Sequence, residues 1–186
     1  MTPEKKIALI TFGCAKNLVD SEVMAGYLQE AGYSSAVNPA EADIIILNTC
    51  GFIRPSKDEA EAAIQNAVSL KKKSQKKIIV AGCYSERYRP SLQKKYPEVD
   101  NWMGVKGFDK VVQVIEGKSF SEPDRTFLYD NTMPRALSTP LSWAYVKISE
   151  GCSHECSFCS IPLIKGDYQS RSISSIVEEV ETLAAK

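Results

Sequence analysis

The chain has 186 residues, 44% of them apolar and 25% charged, with 23 Lys and Arg balancing 23 Asp and Glu. That length supports one ample core, or a domain of common size with the start of another, and the composition excludes a disordered or coiled-coil chain. The charge balance gives no overall positive field, so direct nucleic-acid binding is not expected and such a partner would need a local patch.

The opening residues, MTPEKKIALITF, hold too brief an apolar run for a signal-peptide core or a membrane span. No membrane partner is expected, and the expected location is cytoplasmic. Thiols stay reduced there, so the six cysteines point to metal binding or catalysis before disulfides.

In chain order, KIALIT at 6–11 reads as a buried strand, apolar at nearly every position. A helix follows over 19–33, stopped by Gly32. IIILN at 44–48 is a second buried strand. PSKDEAEAAIQNAVSLKKK at 55–73 begins with Pro55, carries its acids early and ends in lysines, which marks a helix. The basic run KKKSQKK at 71–77 is then a solvated helix end, where cations complement the helix dipole. KIIVAG at 77–82 is a third buried strand. A helix over 85–95, a short strand over 102–105 and a last helix over 108–117 complete the first unit. Strand, helix, strand, helix predicts an α/β fold, a flavodoxin-like or Rossmann-like doubly wound parallel sheet.

From 118 to 140 the pattern fails in a Pro-containing polar stretch, which reads as a linker. YVKIS at 145–149 then opens a second unit as a strand, followed by a cysteine loop and a helix over 172–186. The predicted domains are therefore 1–117, the linker 118–140 and a second unit over 141–186.

Each of these strands runs into a cysteine: ITFGC, ILNTC, VAGC and KISEGC. Ligands of open parallel sheets gather at the carboxyl ends of the strands, which puts Cys14, Cys50 and Cys83 on one rim. An order with 6–11 in the middle places Cys14 centrally, with Cys50 and Cys83 on its flanks, and three thiolates would converge. The alternative is that each is a small core residue. Asn17, Asn48 and Thr49 suit turns and strand ends and could also hydrogen-bond a cluster. Asp20 and Glu22 read as acids at a helix start, satisfied by capping and the helix dipole. Arg87 and Arg171 read as surface arginines.

The loop GCSHECSFCSIP at 151–162 sets Cys152, Cys156 and Cys159 in the pattern CxxxCxxC. Three thiolates from one loop suit an iron-sulfur cluster with one iron left open. Gly151 suits an unusual backbone conformation before the loop, and Pro162 stiffens its exit. Two other readings stand beside it: a zinc site closed by His154 as a fourth ligand, and no metal at all.

YVKISEGCSHECSFCSIP resembles the radical S-adenosylmethionine signature, and Phe158 before its last cysteine fits. The first unit resembles the amino-terminal domain of the radical S-adenosylmethionine methylthiotransferases. The words GCAKNLVDSE at 13–22, NTCGFI at 48–53, GCYSERY at 82–88 and PEVD at 97–100 resemble the branch that modifies an aspartate of the twelfth small-subunit ribosomal protein, more than the transfer-RNA branch.

The resemblance implies two 4Fe-4S clusters. Cys152, Cys156 and Cys159 would hold one, with S-adenosylmethionine on its open iron; Cys14, Cys50 and Cys83 would hold an auxiliary cluster that carries the sulfur. It also implies a ribosomal protein as substrate and an electron donor such as a flavodoxin. A partial barrel needs on the order of 200 residues, so the second unit is expected to be the truncated start of a radical S-adenosylmethionine barrel, inactive alone, with a tail that dangles or pairs with another copy. The alternative from another class is a non-enzymatic flavodoxin-like binding module with a Cys3His zinc site; the absence of a phosphate cradle in TFGCAKN counts against it.

Overall fold

In the computed structural model, residues 5–118 and 126–185 are described; part of the expected linker, 119–125, and the last residue of the expected final helix lie outside them. Strands β1 (Lys6–Thr11), β2 (Ser34–Ser35), β3 (Ile44–Thr49), β4 (Lys77–Gly82) and β5 (Asn101–Trp102) form one parallel sheet in the order β2-β1-β3-β4-β5. Helices α1 (Ala15–Glu30), α2 (Arg54–Lys73), α3 (Cys83–Lys95) and α4 (Val111–Ile115) cover it.

Burial on both faces explains why the inner strands are apolar at successive positions. Ile44, Ile46 and Ile79 pack with Val19, Val23 and Met24 of α1 and Val111 and Val114 of α4. Ile45, Leu47, Ile78 and Val80 point the other way, against Ala60, Ile64 and Ala67 of α2 and Leu92 of α3. Alternation along each strand thus feeds two cores, which is the doubly wound arrangement.

The strand order differs from the expected one. β3, not β1, lies between the other two cysteine-bearing strands, so Cys50 rather than Cys14 follows the central one. The reason is β2, two serines with no apolar run to announce them. They pair with the outer edge of β1, Lys6 opposite Ser34 and Ile7 opposite Ser35, which leaves only the inner edge of β1 for β3.

Residues 126–140 hold no helix or strand, yet they are packed against the sheet unit. Phe127 and Tyr129 join the α1 core, Phe127 meeting Phe108 edge-on at 5.7 Å. Beyond them come β6 (Ser149–Glu150), α5 (Ile161–Lys165), β7 (Gln169–Ser170) and α6 (Ile173–Ala184). The expected strand at 145–149 shrinks to β6, which pairs antiparallel with β7. Side chains take the place of a ladder before it: the Lys147 N–H donates to Tyr129 Oη at 3.1 Å and the Lys147 carbonyl accepts from Arg171 Nη1 at 3.1 Å.

Three further expectations are corrected. α1 begins at Ala15 with Cys14 as its N-cap residue and no acid in its first turn. Asp20 and Glu22 are therefore mid-helix, at 0% and 2% exposure, and cap nothing. Arg171 is buried, not on the surface, and pairs with Glu179. The tail does not dangle: Lys147 and Lys165 bind Asp20, and Arg135 binds Glu22 at 2.7 Å. Buried carboxylates on α1 demand cations: the second unit supplies them to Asp20, and the stretch before it supplies Arg135 to Glu22.

Ile46, fully buried in the central strand, gives a direct test of the two-faced core. Ile46→Ala is expected to lower unfolding free energy by about 2–5 kcal/mol in urea titration. The fully exposed Val37 is the control, with Val37→Ala expected within about 0.5 kcal/mol of the parent; equal losses at the two sites would contradict the packing.

Candidate metal centre

Three strands end at one rim, and each turn beyond the rim carries a cysteine. Cys14 is the N-cap residue of α1, Cys50 follows β3, and Cys83 opens α3 directly after β4. Gly13 holds the first two loops together. Its φ is +94°, and a β-carbon added there would lie 2.5 Å from Cys50 Cβ and 2.9 Å from Cys50 Sγ, so a side chain would push Cys14 and Cys50 apart.

Reciprocal amides lock the same two loops. Asn17 Nδ2 donates to the carbonyls of Phe12 and Asn48, at 2.9 and 3.3 Å, while Asn48 Nδ2 donates to the Asn17 carbonyl and to Ser21 Oγ, both at 2.9 Å. Thr49 Oγ1 donates to the Ala81 carbonyl at 2.6 Å, which ties β3 to β4. These donors are committed to the backbone and its neighbours, so the three residues shape the rim.

Cys83 feels both other thiols. Burial pushes its thiol up to about 12; Lys165 opposes this, while Asp20, Cys50 and Cys14 add to it. Cys14 is exposed, Cys50 buried and Cys83 in between. The rim is therefore open at its β1 side and closed at β3.

The second trio sits in the loop between β6 and α5. Gly151 has φ +74°, where an added β-carbon would strike the backbone of Asp167. Cys152 N–H donates to the Gly166 carbonyl and Cys159 N–H to the Cys156 carbonyl, each at 3.0 Å. Pro162 lies in the first turn of α5. Cys156 is exposed, and Cys152 and Cys159 are half-buried. His154 is exposed in this loop.

Buried charge joins the two sets. Lys147 and Lys165 each bridge Asp20 of α1 and Glu150 of β6, and Lys16, two residues after Cys14, reaches Glu150 Oε1 at 3.3 Å. Burial acts to raise the Glu150 carboxyl, but Lys165, Lys147 and Lys16 outweigh it and hold it down at about 2. Burial likewise acts to lower the Lys165 ammonium, and Asp20, Cys83 and Glu150 lift it above the ordinary lysine value. Sequence reading misses this set. Its signal is present in the first helix, where Asp20 shares the buried stripe of Val23 and Met24 at helical spacing.

Among the described residues, no three His, Cys, Asp or Glu side chains draw together closely enough for one metal ion, the loop of Cys152, His154, Cys156 and Cys159 included. A cubane cluster asks instead for thiolates at separate corners, three from the protein and one corner open. Free thiols in two sets of three, each on glycine-shaped turns, fit that demand.

An α/β sheet with a thiol after each of three adjacent strands, followed by a CxxxCxxC loop, is the class that fold and site define. Over residues 6–104 the chain matches the uncharacterized protein family UPF0004, and it belongs to that family. It is 45% identical over 187 residues to the ribosomal protein uS12 methylthiotransferase RimO of Dictyoglomus thermophilum, across 98% of this chain and 42% of that protein. The chain thus spans about two fifths of the length of that curated relative. The relative's name agrees with the resemblance carried by the motifs.

In fold the chain is similar to the radical S-adenosylmethionine methyltransferase TsrM from Kitasatospora setae. One TsrM structure holds tryptophan and the analogue aza-SAM, another cobalamin and a [4Fe-4S] cluster; the TM-scores are 0.65 and 0.62, each at 15% identity over 98% of this chain and 46% of that one. No helix among the described residues is long and apolar enough to cross a membrane.

Two predictions follow from the rim geometry. Gly13→Ala combines a disfavoured φ with a clash and is expected to cost about 1–3 kcal/mol in thermal unfolding; an unchanged melting temperature would refute the close approach of the two loops. In the metal-free protein, alkylation followed by peptide mapping is expected to modify Cys14 and Cys156 about tenfold or more faster than buried Cys50. Equal rates would show that the rim is not closed as described.

Proposed function

We propose that the chain is the amino-terminal part of a radical S-adenosylmethionine methylthiotransferase that adds a methylthio group to an aspartate of ribosomal protein uS12. The observation that carries this reading is the pairing of two three-thiol sets, one on the sheet rim and one in a CxxxCxxC loop, in a chain 45% identical to a uS12 methylthiotransferase. In this reading residues 1–117 form the domain of the auxiliary site, 118–140 connect, and 141–186 begin the radical S-adenosylmethionine unit. The chain works in the cytoplasm and takes electrons from a small donor such as a flavodoxin.

Cys152, Cys156 and Cys159 would hold one 4Fe-4S cluster and Cys14, Cys50 and Cys83 the other. When bound with S-adenosylmethionine, such a cluster supplies one-electron chemistry at an unactivated carbon, which acid and base side chains cannot supply at neutral pH. The chain's own residues do the placing. Asn17, Asn48 and Thr49 fix the rim turns, and Gly13 lets the turns of Cys14 and Cys50 meet. Lys165 sets a cation near Cys83 that offsets the negative charge of bound thiolates.

Iron and acid-labile sulfide, counted after anaerobic reconstitution, test the reading. About eight irons per chain are expected, falling to about four in a Cys14→Ala, Cys50→Ala, Cys83→Ala variant. Stoichiometric zinc without iron would overturn it. The substrate is tested by supplying the full-length enzyme with uS12 and, separately, with transfer RNA: a methylthio mass gain on uS12 alone is expected, and a gain on transfer RNA alone would reassign the chain.

A further inference from the structure

A single carboxylate on the first helix grips both shoulders of a cysteine loop far along the chain. Asp20 Oδ1 accepts from Lys147, which lies five residues before Cys152, and Asp20 Oδ2 accepts at 3.1 Å from Lys165, which lies six residues after Cys159. Glu150 Oε2 closes the ring, 3.0 Å from Lys147 and 3.3 Å from Lys165. Two carboxylates and two ammonium groups make a neutral square. It is sealed from water: the side chains of Asp20, Lys147, Glu150 and Lys165 are 0, 2, 2 and 6% exposed. Lys16 adds a half-exposed strut from the first turn of α1 to Glu150 Oε1 and to the Ser149 carbonyl at 3.2 Å.

Stability alone does not call for this arrangement, because well-packed apolar residues in place of a buried ion set are often as stable or more so. Charged hydrogen bonds add direction, since each fixes the place of one group against another. Direction here runs between the two thiol sets. Asp20 rides on the helix that Cys14 caps, about 9 Å further along its axis, so the helix carries the position of Cys14 to Asp20. The two lysines carry the position of Asp20 to either side of the Cys152–Cys159 loop.

We propose that Asp20 is a positioning residue: through Lys147 and Lys165 it fixes the Cys152–Cys159 loop relative to the rim of Cys14, Cys50 and Cys83, so that the two ligand sets keep one separation. The proposal rests on the reading of both trios as cluster sites and adds the device that spaces them.

The spacing is read without any cluster. Nitroxide labels on Cys14 and Cys156, both exposed, are placed in a full chain whose other four cysteines are alanine, and pulsed dipolar electron paramagnetic resonance gives their distance distribution. A single narrow distribution is expected for that parent, widening about twofold or more in Asp20→Asn and in Glu150→Gln, which keep side-chain shape and remove a charge. A variant with the parent's circular dichroism and the parent's width overturns the proposal. Should Asp20→Asn lose its fold, Glu150→Gln decides, because Glu150 lies outside the parallel sheet. A purely structural role would lower the melting temperature and leave the width alone. Iron and sulfide counts on the cysteine-complete chain are read separately: their failure would remove the cluster reading, while the label widths alone decide whether Asp20 sets the spacing.

Discussion

A carboxylate sealed inside a protein must meet cations or lose its charge, and α1 buries two, Asp20 and Glu22, whose cations are Arg135, Lys147 and Lys165. Glu22 takes Arg135 through two nitrogens, at 2.9 and 2.7 Å, while its other oxygen accepts from the backbone and hydroxyl of Ser138, both at 2.8 Å. Arg135 then reaches Glu179 of α6 at 2.6 Å, and Glu179 also takes Arg171 and the Tyr129 hydroxyl. An irregular stretch, a cysteine loop and a final helix are thereby held in place by charges that start on one helix. Removing one partner from such a set costs about 3–5 kcal/mol, a large share of the stability of a typical domain.

The two thiol sets are built by different means. The rim of Cys14, Cys50 and Cys83 is a property of the sheet: the register of β1, β3 and β4 ends the strands together, and the turns are fixed by amides and by Gly13. The Cys152–Cys159 loop rests on the two-residue pair of β6 and β7 and on the bond from the Cys152 N–H to the Gly166 carbonyl. Its position comes from side chains on either flank. A backbone-built site and a charge-positioned site meet across α1.

The sheet and its thiol rim were legible in the sequence because both rest on local signals. Runs such as IIILN and KIIVAG are apolar at successive positions, and each cysteine lies within three residues of its strand. The strand order was less legible, because it turns on Ser34 and Ser35, which carry no apolar signal and pair through backbone alone. The short α5 hid inside IPLIK, too brief for any helical period. The roles of Asp20 and Glu22 were misread for a different reason: their partners lie more than a hundred residues away, and no window along the chain brings them into view. YVKIS has the composition of a strand, yet its backbone bonds go to Tyr129 and Arg171, a tertiary choice that propensity does not record.

The span between Asp20 and its lysines also sets a clock on biosynthesis. Lys147 and Lys165 follow Asp20 by 127 and 145 residues. At a ribosomal pace of roughly 5–20 residues per second, α1 waits on the order of ten seconds before either cation leaves the exit tunnel. Through that interval its acidic face is hydrated and lacks the cations that cover it in the finished molecule. The nascent α/β unit is therefore half-finished on one side while its first three thiols are already out. The three cysteines of the rim thus emerge before the segment that completes the helix face beside them.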